Sequence, residues 1–285
     1  MKRYFFFFFL LMASSFAYSQ QLGNENEMDA RVTFSPEQKL DESFMECVYE
    51  CWTNDTLLQS WKRDERILQI GRRFSKYLNY TSYRQDSVFC NIDKTNLRLR
   101  DVLRIEKDNN IDSRKSDLSY ILKDKLSGKI ENYSSVLMDR FVYEDSLKDL
   151  KWEMAVDTAT FCGYLCHKAT THFRGRYWTA WYAEDLPVSD GPWKLGGLPG
   201  LILKAYDDGR HQRFDAIVVR KVKSGITRVD RDEIRTTRER YNKSLADFKE
   251  NPQNVIEGFG LMPKNVDGTS AQLVQRLFFN PYELE

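Results

Sequence analysis

The chain has 285 residues, with 43 Lys and Arg against 42 Asp and Glu, for a formal charge of +1. Such a balance offers no field for a nucleic-acid backbone, so no nucleic-acid partner is expected. The length suits one large domain or two small ones with a real core, and the 14% aromatic content favours strands.

In chain order, Lys2 and Arg3 precede an apolar run from Tyr4 to Met12, and Ala17-x-Ser19 follows among small residues. This is the three-part pattern of a secretory signal over residues 1–19, cut before Gln20. The run is far shorter than the ~20 residues of a spanning helix. No other long apolar run follows, so no membrane span is expected after signal removal. The first cysteine is Cys47, too far on for a lipid anchor at the cut. The expected compartment is the periplasm or outer cell envelope. Residues 20–40 are polar and read as a flexible leader. Without repeats or a low-complexity linker, residues 41–285 read as a single β-rich domain.

Ser43 to Trp52 reads as the first strand. Met45, Cys47, Tyr49 and Cys51 fall on one face, and Phe44, Val48 and Trp52 on the other. Arg66 to Gly71 is a short strand, and Phe74 to Tyr83 is rich in aromatics. Residues 93–132 are highly charged with weak periodicity, and fit long strands, a helix or an insertion. Strand signals return from Val136. Trp152, Met154 and Val156 alternate with charged or small residues. Thr158 to Phe173 and Tyr177 to Ala183 flank a turn at Arg174-Gly175-Arg176. Leu201 to Tyr206 and Phe214 to Val219 are joined by Asp207-Asp208-Gly209. Ile234, Tyr241, Leu245 and Phe248 form one helical stripe; Asp230 and Glu233 resemble a capping box, and Asn251-Pro252 is a stop. Neighbouring hairpins argue for a mainly β, α+β fold: a curved antiparallel sheet or half-barrel with a C-terminal helix.

The segment from Gly191 to Leu203 stands out. Gly191, Pro192, Trp193, Gly197, Leu198, Pro199 and Gly200 make a stiff loop leading into a strand. It is not a phosphate loop, because no Gly-Lys-Ser/Thr follows and no helix begins there. The six residues Gly197 to Ile202 spell GLPGLI. With Leu68 to Gly71, Gly163-Tyr164-x-Cys166-x-Lys168-Ala169, Phe173 to Arg176, Ala180-Trp181-Tyr182 and Asn280 to Glu285, they resemble the GLPGLI family, exported proteins common in Bacteroidetes. The resemblance covers nearly the whole mature chain. It implies export and brings no assigned chemistry, substrate or cofactor with it.

The cysteines are Cys47, Cys51, Cys90, Cys162 and Cys166. Cys162-x3-Cys166-His167-x4-His172 invites a thiol or metal centre. On one unbroken strand, however, Cys162 and Cys166 lie ~13 Å apart and His167 faces away from both. A site there requires Gly163 to break the strand. Cys47 and Cys51 share that spacing, so antiparallel neighbours could pair Cys47 with Cys166 and Cys51 with Cys162; buried free thiols are the alternative. No metal, cofactor or catalytic residue is assigned. Trp178, Trp181, Tyr182 and Trp193 read as an aromatic core ahead of a binding surface. The leading expectation is a non-enzymatic envelope protein that binds a partner protein or an apolar ligand. Its alternatives are a thiol- or metal-dependent envelope enzyme centred on Cys166 and a structural component of a surface or export assembly.

Overall fold

The computed structural model describes residues 28–259 and 277–284. The signal assigned to residues 1–19 lies outside the described residues. The first strand, β1 (Glu37–Asp55), begins inside the segment read as a flexible leader. Ahead of it, Arg31 bridges Arg98.

Two meanders build the fold. The first contains β1, β2 (Ser60–Gly71), β3 (Phe74–Asn79), β4 (Tyr120–Asp124), β5 (Lys129–Val136) and β6 (Asp139–Ser146). The second contains β7 (Glu153–Phe161), β8 (Tyr164–Phe173), β9 (Arg176–Ala183), β10 (Leu201–Asp207) and β11 (Gln212–Val229). They join where β1 pairs antiparallel with β11. Among the described residues the result is one mainly β, curved sheet in the order β12-β6-β5-β4-β3-β2-β1-β11-β10-β9-β8-β7.

The sheet is mixed rather than wholly antiparallel, because β12 (Ile234–Arg235) runs parallel to β6. The chain enters β12 from the end of β11 rather than through a hairpin, so nothing forces the reversed direction. The paired ends of β1 and β11 curl over the first meander. Ile226, near the end of β11, is buried with Val48, Ile67, Leu78, Leu122 and Val142. Register shifts at Lys39/Asp41 and Ser43/Met45 accompany the curl on β1.

The alternation in β1 is as the sequence predicts. Met45, Cys47, Tyr49 and Cys51 enter the main core, whereas Val48 enters the second cluster. The main core unites Tyr77 of β3 with Cys166 and Ala169 of β8 and Trp178, Ala180 and Tyr182 of β9. The two halves of the sheet therefore curl around this inner face.

The weakly periodic stretch resolves into a helix and two strands. Asn79 ends β3 and caps α1 (Tyr80–Phe89): its side-chain oxygen accepts from Ser82 N at 3.0 Å. Next comes α2 (Leu99–Asp108), where the Asp101 carboxylate accepts from Arg98 N at 3.1 Å. Then follow β4 and β5. The C-terminal helices are α3 (Arg238–Glu250) and α4 (Pro252–Gly258), which meet at the anticipated Asn251-Pro252 stop. The expected start is corrected: Thr237, not Asp230, caps α3, and Ile234 sits exposed in β12. Tyr241, Leu245 and Phe248 pack on Val136, Phe141 and Tyr143.

Asn79 also donates through Nδ2 to Asp64 at 3.1 Å and is 2% exposed. Asn79→Ala removes both bonds and is expected to lower stability by about 1–2 kcal/mol, read from the midpoint of urea unfolding.

Candidate functional site

The glycine-proline loop lies against the inner face. Lys123 of β4 reaches into it and donates to Asp190 Oδ1 at 2.9 Å, Gly191 O at 2.8 Å and Leu195 O at 2.8 Å. Both partners of this ion pair are 2% exposed, so each charge relies on the other. Lys125 adds a contact to Asp190 at 3.6 Å. Burial pushes the Asp190 carboxyl up, but the charges of Lys123 and Lys125 outweigh it and hold the group below its ordinary value. Tyr49 OH donates to Ile202 O at 2.7 Å, and Trp152 Nε1 to Gly196 O at 2.8 Å.

Of the loop residues singled out in the sequence, Gly191, Pro192, Trp193, Leu198 and Gly200 are buried, whereas Gly197 and Pro199 are exposed. Gly197 takes a φ of +87°, and a Cβ on Gly200 would meet Ala183 O at 2.2 Å. The Trp193 ring lies 5.5 Å from Trp178 and 5.5 Å from Tyr282. Trp178, Tyr182 and Trp193 are core aromatics, with Trp181 packed beside them.

The C-terminal segment 277–284 crosses the same face as a strap. Arg176 donates to Asn280 Oδ1 at 2.7 Å, Pro281 O at 2.6 Å and Tyr282 O at 3.1 Å, and it pairs with Asp207 at 2.5 Å. Gln212 Nε2 donates to Asn280 O at 2.7 Å, and Asp55 accepts from Phe279 N at 2.7 Å. Lys194 from the loop, fully buried, bridges Asp145 of β6 and Glu283 of the strap. Arg238 of α3 also reaches Glu283, at 3.5 Å.

Between strap, α3 and strands β1 to β6 lies a cleft of about 340 Å³. Tyr77, Tyr143, Trp193, Tyr241, Phe278 and Tyr282 supply rings to its lining. Its charged groups centre on Arg66, which pairs with Asp117 at 2.6 Å and Asp64 at 2.9 Å. Burial opposes the Arg66 charge, and Asp117 and Asp64 overcome it, so the guanidinium is held more firmly protonated. These residues come from separate segments, and no local spacing announced them.

Among the described residues no three His, Cys, Asp or Glu side chains converge as metal ligands. Gly163 does break the strand: with Cys162 it forms the β7–β8 turn, at φ +81° and +51°. Cys162 is thereby placed at an exposed turn, where its thiol donates to Ala216 O at 2.8 Å. Cys166 is buried, and burial pushes its thiol up to about 11, away from a reactive thiolate. Its thiol faces Tyr164 O at 3.6 Å, and a carbonyl is no base.

The strand neighbourhood expected for a Cys47–Cys166 and Cys51–Cys162 pairing is corrected. Strands β11, β10 and β9 separate β1 from β8, and all five cysteines are free thiols in this structure. Burial also holds Cys51 up, to about 12, beside the Tyr77 hydroxyl at 3.2 Å.

Residues 127–239 match the family described as "N-glycanase peptide, N-terminal domain", that of PNGase F-II. The matched region runs from the start of β5 into α3 and includes Asp145, Arg176 and the loop; it leaves out Lys123 and the strap. The chain is also similar to two solved structures of PNGF-II, in space groups P21 and C2. In each case the identity is 16%, the TM-score 0.48, and the coverage 74% of this chain and 34% of that one. The chain thus spans about a third of the length of that protein. No curated protein matches the chain. Among the described residues, no helix is long and apolar enough to cross a membrane.

Three substitutions probe the loop and, for comparison, the β7–β8 turn. Gly200→Ala must displace backbone at Ala183 and is expected to cost on the order of 2–4 kcal/mol. Gly163→Ala meets open space and bears only the positive-φ penalty, about 1 kcal/mol; thermal unfolding of the two variants gives the order. Asp190→Asn strands the buried Lys123 charge and should cost roughly 3–5 kcal/mol. Because the folded Asp190 pKa lies below its ordinary 3.8, its contribution is complete above that value and is lost as pH falls through the lower folded value. Acid titrations should therefore show a smaller stability gap between wild type and variant below pH 3.8 than above it.

Proposed function

We propose that this chain is an exported, non-enzymatic binding protein of the GLPGLI family, and that it recognises a sugar-bearing ligand in the cleft beneath the strap. The observation that carries the reading is the cleft itself, where aromatic rings stand beside planar amide and guanidinium groups. A sugar presents C–H faces to rings and hydroxyls to such polar groups, and the cleft offers both within about 340 Å³. The match of residues 127–239 to the N-terminal domain of an N-glycanase supports a glycoconjugate setting. The proposal takes recognition from that match, not hydrolysis. Export rests on the signal pattern of residues 1–19, and family membership rests on GLPGLI at Gly197 to Ile202 with its accompanying motifs. Cys166, the centre of the thiol alternative, has the wrong burial and the wrong partner for a nucleophile.

The test is binding of the purified protein to one immobilised glycoprotein before and after enzymatic removal of its glycans. Retention on the glycosylated form alone is expected, weakened by Phe278→Ala at the cleft wall. Equal retention on both forms would remove the sugar from the reading.

A further inference from the structure

The cleft carries an unbalanced set of donors. Its lining includes the cations Lys62, Arg66 and Lys249, set against the carboxylates Asp64, Asp117 and Glu283. Arg66 consumes Asp64 and Asp117. Glu283 is consumed by Lys194 and Arg238. Lys62 and Lys249 are left with no ion-pair partner among the described residues. On the floor, Asn132 is 5% exposed, and its Nδ2 has no hydrogen-bond partner among the described residues. A buried amide hydrogen without an acceptor costs about 1–3 kcal/mol, which an arriving acceptor would recover. The buried Tyr120 hydroxyl on the same lining also lacks a partner among the described residues and can donate as well.

We infer that the ligand of this cleft carries an anionic oxygen group, and that within the sugar-binding reading, on which this inference rests, it is an acidic sugar. Lys249 and Lys62 meet the anion, and Asn132, whose Nδ2 is covered in this structure, turns its amide toward the ligand on binding. The rings of Tyr77 and Tyr282 take its apolar face. Burial lowers the Lys249 pKa, and the charge of Lys62 lowers it further, with Asp117 opposing. Two ammonium groups lining one cleft are both favoured when an anion binds beside them.

The experiment uses a matched pair of probes, 4-nitrophenyl β-D-glucuronide and 4-nitrophenyl β-D-glucoside. They share ring and aglycone and differ in a carboxylate at C6. Binding is read from isothermal titration calorimetry and from quenching of the intrinsic tryptophan fluorescence, to which Trp193 in the cleft lining contributes, with wild type, Lys249→Met and Lys62→Met; both substitutions keep the aliphatic stem. The expected result is tighter binding of the glucuronide, by about tenfold, with the advantage lost in Lys249→Met, diminished in Lys62→Met and weakened by salt. Equal affinity for both probes would overturn the acidic-sugar inference and leave the sugar reading standing. A glucuronide preference that survives in both lysine variants would also overturn it, by placing the anion elsewhere. Binding of neither probe, with no change in fluorescence, would end both readings.

Discussion

The buried pair of Lys123 and Asp190 is the constraint around which the rest is arranged. A lysine ammonium inside a protein is tolerated only with its hydrogens satisfied and an opposite charge in contact. Here Asp190 supplies the charge, and the Gly191 and Leu195 carbonyls supply the remaining acceptors. The lysine belongs to the first meander and its acceptors to the second, so the contact ties both wings of the sheet across the inner face. Loop residues must bring two carbonyls to one point, which is why glycine and proline dominate there. At Gly200 the backbone passes too close to Ala183 for any side chain.

Around this tie the inner face divides into two regions. Over the second meander, the loop packs with the aromatics Trp178, Trp193, Phe214 and Tyr282, of which Trp193 and Tyr282 also border the cleft. Over the first meander, α3 and the strap stand off the sheet and leave the cleft. Lys194 marks the border: its ammonium gathers Asp145 from the sheet and Glu283 from the strap. A packed half thus supplies the rigidity against which an open half can hold a ligand.

Much of the sheet was legible in the sequence because its signals are local. Alternation exposed β1, and Asp207-Asp208-Gly209 marked the β10–β11 turn. The C-terminal helix showed its stripe at Tyr241, Leu245 and Phe248, although Ile234 fell at a compatible spacing by coincidence and Thr237 set the true start. The loop announced itself through composition alone. Its partner did not: Lys123 sits in the charged stretch 93–132, where one lysine among many carries no mark of burial. The cleft was unreadable for the same reason, since Arg66, Asp117, Asn132 and Lys249 meet only after the sheet has curled. The cysteine spacing misled because it treated β7 and β8 as one strand, whereas the Cys162-Gly163 turn folds them into a hairpin, and because matched spacing says nothing about which strands are neighbours: β11, β10 and β9 stand between β1 and β8.

The junction of β1 with β11 bears on how the molecule comes into being. Each meander pairs strands that follow one another in the chain, by short turns except at β3–β4 and β9–β10, so its loop-closure cost is small beside that of the junction. The ladder that unites them pairs Glu37 with Val229 and Thr53 with Gln212, so it must wait for nearly the whole chain. Until then β1 has one bare edge and the inner core lacks one wall. The long-range ladder therefore sets a late step, closing only when the chain as far as Val229 is available to pair.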